Sequence, residues 1–304
     1  MNVLVIGGTG FIGSHVCDSL LRAGHTVSVY SRHDEKHRNP LKYITYFKGD
    51  ISDTTTLSEA LIGMDSVVHL ASTTVPSTSN LNPTHDVSSN LIHTIELLEL
   101  LRKNGPKKII FISSGGTVYG EPLHLPVSES HPLNPICSYG VVKVAIENYM
   151  NIYQKQYGIE FVIMRVSNPY GPRQGHMGVQ GLISAFLNRV KNGQDLIVWG
   201  DGETIRDYIY ISDIVSLFDK ALSSSVTGVF NVGSGQGFTI NQVIDVICKV
   251  TNMNPTVIYK ESRAFDVSKI YLDTQKAREV FDWQVHTDLF NGINKHWEWL
   301  LQAS

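Results

Sequence analysis

A glycine-rich turn between an apolar stretch and a helical pattern constrains this chain more than any other feature. The run Gly7-Gly8-Thr9-Gly10-Phe11-Ile12-Gly13 follows the apolar residues 3–6. Gly7 would permit a sharp turn, Gly10 would let the backbone approach a pyrophosphate, and Gly13 would let the helix pack closely on the strand. A phosphate would then lie at a helix N-terminus, where free N–H groups and the helix dipole favour negative charge. The run is typical of a dinucleotide-binding βαβ unit.

Strand and helix patterns alternate through the first half of the chain. Buried strands are predicted at residues 3–6, 26–30, 45–48, 66–70, 108–113 and 161–165. Helices are predicted between them at residues 14–23, 54–62, 87–103 and 141–157. Such alternation is typical of a parallel sheet with helices on both faces, which places ligands at the carboxyl ends of the strands. The sequence therefore predicts an α/β fold, a doubly wound parallel sheet of the Rossmann type.

The alternation fades beyond residue 165, where loops rich in Gly and Pro at residues 168–181, 200–204 and 233–237 separate shorter elements. Helices are predicted at residues 182–192, 212–223, 241–251, 274–280 and 289–301. We therefore predict a dinucleotide-binding domain over residues 1–166. A smaller C-terminal substrate-binding lobe would occupy residues 167–304, with some crossing of the chain between the two.

The composition argues against several classes of protein. The 304 residues are 42% hydrophobic and carry a net charge of −3, so the chain can bury a core and has no basic field for nucleic acid. No apolar run reaches the ~18 residues of a membrane span, and the chain begins directly on an apolar strand. Cys17, Cys137 and Cys248 lack metal-ligand spacing. We expect a cytoplasmic protein with no metal site, no membrane association and no nucleic-acid partner.

The helices predicted at residues 87–103 and 141–157 are apolar on more than one side. Ile92, Ile95 and Leu98 illustrate this in the first of them. One side of each helix would pack on the sheet, and the excess would make a helix-pair contact with a second copy of the chain. A homodimer is therefore expected. A deeply buried helix is the alternative.

Tyr139 and Lys143 lie four residues apart, which places them on one face of a helix. A neighbouring ammonium favours phenolate and would lower the pKa of Tyr139 toward neutrality, so that the phenol serves as a general acid or base. Lys143 could also hydrogen-bond the ribose next to a nicotinamide. The spacing alone is also common on ordinary helix surfaces.

Hydroxyl side chains follow the strand predicted at residues 108–113, in the run Ser113-Ser114-Gly115-Gly116-Thr117-Val118-Tyr119-Gly120. Because the run lies at the carboxyl end of a central strand, its hydroxyls could bond a sugar hydroxyl or a ketone. A turn whose hydroxyls satisfy local backbone groups is the other interpretation.

The motifs follow one another in an order that resembles a known family. The further motifs are Gly49-Asp50-Ile51, His69-Leu70-Ala71, Arg165-Val166-Ser167-Asn168-Pro169-Tyr170-Gly171-Pro172, Arg206-Asp207-Tyr208-Ile209-Tyr210, Asn231-Val232-Gly233, and Arg263 with Asp266 before Asp273. Together they resemble the extended short-chain dehydrogenase/reductase superfamily, specifically its nucleotide-sugar epimerases and dehydratases, and most closely the UDP-hexose 4-epimerase branch.

The resemblance implies an active site with Tyr139 and Lys143 as the catalytic pair. It implies that the cofactor NAD is bound by Gly7, Gly10, Phe11, Ile12, Gly13, Asp50, Ile51, Leu70, Ala71, Ser72, Asn90, Ser113, Tyr139 and Lys143. It implies that a nucleotide sugar, UDP-linked, is bound by Thr117, Asn168, Leu182, Trp199, Arg206, Arg263 and Asp266. The implied reaction interconverts UDP-glucose and UDP-galactose, with the N-acetyl forms as further substrates, through a transient 4-keto sugar.

The hydroxyl run departs from the pattern of the branch. The branch usually has a hydroxyl residue at the position of Gly115, so Thr117, or else Ser114, must supply that hydrogen bond, unless Tyr139 acts without it. Dehydratases usually carry an Asp-Glu pair where this chain has Gly116-Thr117, which argues against elimination of water.

The end of the second strand also departs from the pattern. An acidic residue usually accepts hydrogen bonds from the adenosine ribose there, but this chain has Ser31-Arg32. The change removes repulsion toward a 2′-phosphate and adds a cation, so NADP is allowed as a cofactor beside NAD, although Arg32 stacked on the adenine is an alternative. NADP would suit a second function, an NADPH-dependent reductase of a nucleotide 4-keto-6-deoxysugar. A third class, a redox sensor without catalytic activity, would be expected to lack Tyr139 and Lys143.

Ile270 lies seven residues after Arg263, where the branch varies the size of the side chain that limits or admits N-acetylated sugars. Isoleucine is intermediate in size. The resemblance therefore implies tolerance of both glucose and N-acetylglucosamine nucleotides.

Overall fold

The structure is a computed structural model that describes residues 1–175, 181–262 and 267–302. The strands in these ranges are β1 Asn2–Ile6, β2 Thr26–Ser31, β3 Ile44–Lys48, β4 Ser66–His69, β5 Lys108–Ser114, β6 Glu160–Val166, β7 Asn168–Tyr170, β8 Leu196–Trp199, β9 Ile205–Arg206, β10 Tyr208–Tyr210, β11 Gly228–Val232, β12 Phe238–Thr239, β13 Val257–Lys260 and β14 Lys269–Ile270.

The helices are α1 Phe11–Arg22, α2 Thr54–Ala60, α3 Pro76–Ser79, α4 Pro83–Asp86, α5 His93–Asn104, α6 Ser138–Tyr157, α7 Leu182–Lys191, α8 Ile211–Ser223, α9 Ile240–Thr251, α10 Gln275–Phe281 and α11 Leu289–Gln302. A π-helical segment, Val87–Ile92, joins α4 to α5. Within the described ranges, no helix has both the length and the apolar content that a membrane span requires.

Seven strands form one parallel sheet in the spatial order β3-β2-β1-β4-β5-β6-β11. Successive side chains of a strand point to opposite faces, so an apolar strand feeds two cores. In β1, Val3 and Val5 belong to one buried cluster, whereas Leu4 and Ile6 belong to another. The predicted Rossmann-type doubly wound sheet is thereby confirmed.

The order of the strands reverses at β1, which has β2 on one side and β4 on the other. Connections that lead away from β1 in both directions leave a crevice at the carboxyl ends of the two central strands. The glycine turn follows β1 at this edge, and the hydroxyl run follows β5. The topology therefore gathers segments that are far apart in the sequence.

The seventh strand comes from beyond the predicted domain boundary at residue 166. Strand β11 pairs in parallel with β6 and places Asn231 opposite Arg165. Helix α8 packs against α1 in the first part of the chain. The C-terminal half thus contributes a strand and a helix to the main sheet layer before it forms the smaller sheets β10-β7, β12-β9-β14 and β13-β8. The chain crosses between the two regions, whose division at residue 166 stays a prediction.

The helix predicted from residue 141 in fact begins at Ser138. The Ser138 N–H donates to Asn80 Oδ1 at 2.8 Å, and its hydroxyl donates to Asp86 Oδ2 at 2.7 Å. These long-range bonds stabilise the first turn, which local propensity does not reveal. As a result, Tyr139 lies inside the first turn of α6.

Two further segments differ from the sequence expectation. The helix predicted at residues 87–103 is π-helical over Val87–Ile92 before α5 begins. The loop predicted at residues 168–181 contains β7, which pairs with β10. The strand was missed because it has three residues and includes Pro169, which disfavours a strand assignment.

His296 is fully buried in α11, and neither ring nitrogen has a hydrogen-bond partner among the described residues. Burial lowers the pKa of His296 to about 4. A histidine in the unfolded chain takes up a proton near pH 6.5. Just below this pH, His296 is therefore protonated in the unfolded state but still neutral in the folded state. The neutral His296 therefore makes its full contribution to the free energy of unfolding above pH 6.5, and this contribution is lost as the pH falls toward the pKa of the folded state.

We expect His296→Leu to reduce the acid sensitivity of the fold. Between about pH 7.5 and pH 5, the parent should lose about 2 kcal/mol more free energy of unfolding than the variant. Urea denaturation at the two pH values measures the difference. His85→Leu, at an exposed position in α4, is the control and should behave like the parent. Equal losses in the parent and His296→Leu would contradict the prediction.

Candidate active site

Two cavities lie at the carboxyl edge of the main sheet. The larger has a volume of ≈ 460 Å³ and the smaller of ≈ 370 Å³. Phe11, the first residue of α1, lines both, so the cavities adjoin at the start of this helix. One elongated ligand could therefore extend from the smaller cavity into the larger.

The glycine turn forms the junction between the cavities. Gly7 has a left-handed φ of 87°, which L side chains rarely adopt. A Cβ atom on Gly13 would collide with the Gly7 carbonyl oxygen, so glycine is needed where α1 crosses the turn. Gly7 and Gly10 line the smaller cavity, and Ile12 lines the larger. Gly13 serves the close packing that the sequence predicted for it.

The other residues predicted to bind the cofactor divide between the two cavities. Those lining the smaller one are Ser31, Arg32, Asp50, Ile51, Leu70, Ala71, Ser72 and Asn90. Ser113 and Tyr139 line the larger cavity. Lys143 is buried, with 5% of its surface exposed, and lies behind this wall. The division matches a dinucleotide whose adenosine occupies the smaller cavity and whose nicotinamide reaches the larger.

Asp86 joins the wall of the smaller cavity to the first turn of α6. Its fully buried carboxylate accepts hydrogen bonds from the Thr74 hydroxyl at 2.6 Å, the Asn90 amide at 2.9 Å and the Ser138 hydroxyl at 2.7 Å. Asn90 in turn accepts from the Thr73 N–H at 2.9 Å. One carboxylate thus holds three segments together: the loop after β4, the π-helical segment and the first turn of α6.

The structure contradicts the prediction that Lys143 brings the pKa of Tyr139 toward neutrality. Lys143 Nζ donates to the Ile112 carbonyl oxygen at 2.9 Å, and it lies 4.5 Å from the centre of the Phe111 ring. It lies 5.4 Å from the centre of the Tyr139 ring. Burial, with the charges of Asp86 and Cys137, instead raises the pKa of Tyr139. The ammonium is engaged elsewhere, and loss of hydration penalises the phenolate.

The pKa of Lys143 is also shifted by burial. Burial lowers this pKa to about 8, while the negative charges of Glu147 and Asp86 oppose the shift. Lys143 therefore keeps most of its positive charge at neutral pH, about 5.4 Å from the phenol ring. A charge at this distance stabilises a phenolate only when something else offsets the desolvation of the tyrosine.

Thr117 and Ser114 carry the two hydroxyls of the hydroxyl run that are candidates to bond a ligand in the larger cavity. Thr117 lines that cavity with Tyr139, and its buried Oγ1 has no hydrogen-bond partner among the described residues. Ser114 also lines the cavity, whereas the Ser113 hydroxyl donates to Glu147 Oε1 at 2.5 Å. A side chain at Gly115 would collide with Leu272 and the Arg165 carbonyl group. The missing hydroxyl at position 115 thus reflects tight packing, and Thr117 is available in its place.

The larger cavity also reaches the N-terminus of α7. Asn168, Leu182, Trp199 and Arg206 all line the cavity. Leu182 begins α7 and follows Gly181, whose φ is 86°. Free N–H groups at the start of a helix, with a nearby guanidinium, attract a diphosphate. Arg263 and Asp266, the remaining residues predicted to bind substrate, lie outside the described residues.

Ile270 does not occupy the position that its predicted role requires. Its side chain is 1% exposed and belongs to a buried cluster with Val118, Val127 and Leu272. It is absent from the described lining of the larger cavity. Ile270 therefore does not restrict the size of a bound sugar by direct contact with it in the described part of the cavity.

Several residues of the site were not singled out from the sequence. Glu147 could have been found, because it lies one helical turn after Lys143 on the same face. Asp86 lies four residues before Asn90, which is a similar signal. Thr9, Lys36 and Arg173 line the smaller cavity only because of the fold, and no local pattern marks them.

Known proteins resemble this chain along nearly its whole length. The model of the NAD dependent epimerase/dehydratase family matches residues 3–233. A UDP-glucose 4-epimerase of Mycolicibacterium smegmatis is 32% identical over 317 residues, which cover 100% of both chains. A dTDP-4-dehydro-6-deoxyglucose reductase of Escherichia coli is 32% identical over 302 residues, covering 96% of this chain and 95% of the relative. A crystal structure of a UDP-glucose 4-epimerase with UDP-glucose, from Thermotoga maritima, is 35% identical, covers 99% of both chains and has a TM-score of 0.95.

Proposed function

Because this chain belongs to the NAD dependent epimerase/dehydratase family, we propose that it is a nucleotide-sugar 4-epimerase that interconverts UDP-glucose and UDP-galactose. One observation carries the proposal: Tyr139 and Thr117, whose hydroxyl has no partner among the described residues, line the same cavity as Arg206. A sugar could thus reach a proton-transfer group while its diphosphate lies near a guanidinium. The turn that adjoins this cavity fits the pyrophosphate of NAD, because Gly7 and Gly10 line the smaller cavity without a side chain and Gly13 lets α1 pack closely on the turn.

Tyr139 would remove the proton of the sugar C4 hydroxyl, while Thr117 hydrogen-bonds the same oxygen. NAD⁺ held by the residues that line the two cavities would supply hydride transfer to and from C4, and its positive charge would favour the phenolate. Lys143, largely protonated at neutral pH, would bind the adjoining ribose and add to the positive charge. The transient 4-keto sugar would turn in the larger cavity, and Tyr139 would then return the proton.

Binding of the nucleotide would hold the sugar while it turns. Arg206 and the N-terminus of α7 would bind the diphosphate, and Trp199 would lie near the nucleobase. We assign Arg263 and Asp266 to the same nucleotide diphosphate on the strength of the sequence alone. The proposal extends to N-acetylated sugars, because the buried Ile270 does not narrow the described walls of the cavity.

Proton NMR of purified protein with UDP-glucose, and separately with UDP-N-acetylglucosamine, tests the proposal without added cofactor. We expect the galacto epimers of both substrates to appear, because the purified protein should retain the nicotinamide cofactor that the reaction needs. Tyr139→Phe should lower the rate by at least about 10²-fold, because the phenol hydroxyl carries the proton. Absence of epimers even after addition of NAD⁺, or normal turnover by Tyr139→Phe, would contradict the proposal.

We expect Thr117→Val to impair catalysis without weakening the fold. The hydroxyl has no hydrogen bond to another described residue to lose, so the free energy of unfolding should stay within about 0.5 kcal/mol of the parent. Loss of its hydrogen bond to the sugar oxygen should lower kcat/KM for UDP-glucose about ten-fold or more. Thr117→Ser keeps a hydroxyl and should restore most of the rate. A Val variant as active as the parent would refute this role of Thr117.

A second candidate function is an NADPH-dependent reductase of a nucleotide 4-keto-6-deoxysugar. Ser31-Arg32 at the end of β2 favours it, since a neutral hydroxyl and a cation stand where an acidic residue is usual, and Asp34 and Glu35 are not in the described lining of the smaller cavity. Such a reductase would use one NADPH for each product molecule, whereas an epimerase consumes no cofactor. Absorbance at 340 nm during turnover of a 4-keto sugar nucleotide therefore separates the two functions.

We also propose that the protein is a homodimer that pairs α5 and α6 of two copies. Val141, Tyr149 and Ile152 are exposed apolar side chains that share one face of α6, and the exposed Ile92 ends the π-helical segment that leads into α5. We expect Ile152→Glu to yield monomers in size-exclusion chromatography with light scattering. The same change at Ile62, which is 74% exposed away from this pair, should leave the dimer intact. A dimeric Ile152→Glu variant would contradict the interface.

A further inference from the structure

We propose that the adenosine end of the smaller cavity is a subsite for a 2′-phosphate, so that the protein binds NADP and NADPH as well as NAD. The inference rests on the proposed function in one respect: the smaller cavity must hold the adenosine of a dinucleotide. It does not depend on which sugar is converted.

The ribose end of the cavity lacks the usual carboxylate. In dinucleotide sites of this fold, an acidic residue beyond the second strand binds the 2′-hydroxyl and repels a phosphate. Strand β2 ends instead at Ser31, whose Oγ lies 2.6 Å from Thr9 Oγ1 in the glycine turn. Two neutral hydroxyls, both in residues that line the cavity, thus stand where the negative charge would be.

The loop after β2 directs its acidic side chains away from the cavity. Asp34 pairs with Lys48 at 2.9 Å, where both side chains are mostly exposed. Glu35 Oε1 accepts hydrogen bonds from Tyr46 at 3.2 Å and Arg38 at 3.4 Å. Neither acidic residue is in the described lining of the smaller cavity.

The same loop directs its cations and imidazoles toward the cavity. Arg32, His33, Lys36 and His37 all line it. A planar guanidinium with paired donors suits phosphate oxygens, and a lysine adds a point charge. These four side chains, with the acidic ones of the loop outside the lining, form a basic rim beside the position expected for the ribose.

Asp50 is the carboxylate in the described lining, and it does not block this rim. Arg32 Nη1 lies 3.7 Å from Asp50 Oδ2, with the two side chains 48% and 42% exposed, so the pair is weak. Asp50 Oδ1 is also satisfied by the Ser52 N–H and hydroxyl, at 3.0 Å and 2.8 Å. Arg32 can therefore turn to a phosphate without leaving Asp50 unsatisfied.

Competition between the two dinucleotides tests the inference on the full chain. Protein preloaded with NAD, and separately with NADP, is equilibrated with equal concentrations of both and desalted, and the bound nucleotides are released and quantified by chromatography. Equal end points from the two starting states establish equilibrium. We expect NADP in at least about one tenth of the occupied sites, equivalent to an affinity within about ten-fold of that for NAD.

Variants assign the preference to the rim. Arg32→Ala should lower the NADP:NAD ratio about ten-fold, because a charge-assisted hydrogen bond is lost, and Ser31→Asp should lower it at least as much through repulsion. Lys42→Ala removes the same charge from an exposed position outside the described lining and should leave the ratio unchanged.

The outcomes separate this inference from the proposed function. NADP in less than about one tenth of the sites, or equal effects of Arg32→Ala and Lys42→Ala, would overturn the 2′-phosphate subsite while leaving the epimerase proposal intact. Binding of neither nucleotide would overturn both.

Discussion

The buried ion pair between Arg165 and Glu147 fixes helix α6 to the main sheet. Arg165 Nη2 lies 2.6 Å from Glu147 Oε2, and the two side chains are 5% and 3% exposed. Ser113 donates to the same carboxylate, and Arg165 donates to the Tyr119 hydroxyl at 2.9 Å. A buried pair tolerates desolvation only when its remaining polar atoms are bonded, and removal of one partner costs about 3–5 kcal/mol. Strands β5 and β6 and helix α6 therefore keep one relative position, which places Tyr139 in the wall of the larger cavity.

Glu147 also links this framework to the chemistry. It lies one turn after Lys143, and its charge opposes the lowering of the lysine pKa by burial. Asp86 acts similarly from the other side, and it joins the first turn of α6 to the loop that lines the smaller cavity. The two carboxylates favour the cationic lysine, while the negative charge of Asp86 disfavours a phenolate at Tyr139. The described surroundings of Tyr139 thus disfavour its phenolate, and the positive charge of bound NAD⁺ would favour it.

The sequence predicted the parts of the fold that depend on local patterns. The glycine turn could be predicted because contacts within a few residues leave no room for a side chain at a glycine such as Gly13. The main strands could be predicted because burial on both faces of the sheet requires apolar residues. Strand β11 was missed because it reaches its place parallel to β6 through a crossover connection of some sixty residues, which only the pairing shows. The prediction that Lys143 lowers the pKa of Tyr139 was wrong for another reason. The spacing shows that the lysine is near, but burial and the hydrogen bond to the Ile112 carbonyl group determine where its ammonium group lies. Ile270 shows the same limit, because similarity of position did not reveal that the side chain faces a core.

The most direct test of the central claim follows the hydrogen at C4 of the sugar. UDP-glucose with deuterium at C4 is incubated with the protein in the presence of unlabelled NADH, and the product is analysed by NMR and mass spectrometry. If Tyr139 moves only the hydroxyl proton and the carbon-bound hydrogen never leaves the closed site, UDP-galactose should form with its C4 deuterium retained. Formation of no galacto product, or of product that has lost the deuterium to the medium or to the free cofactor, would contradict the proposed mechanism.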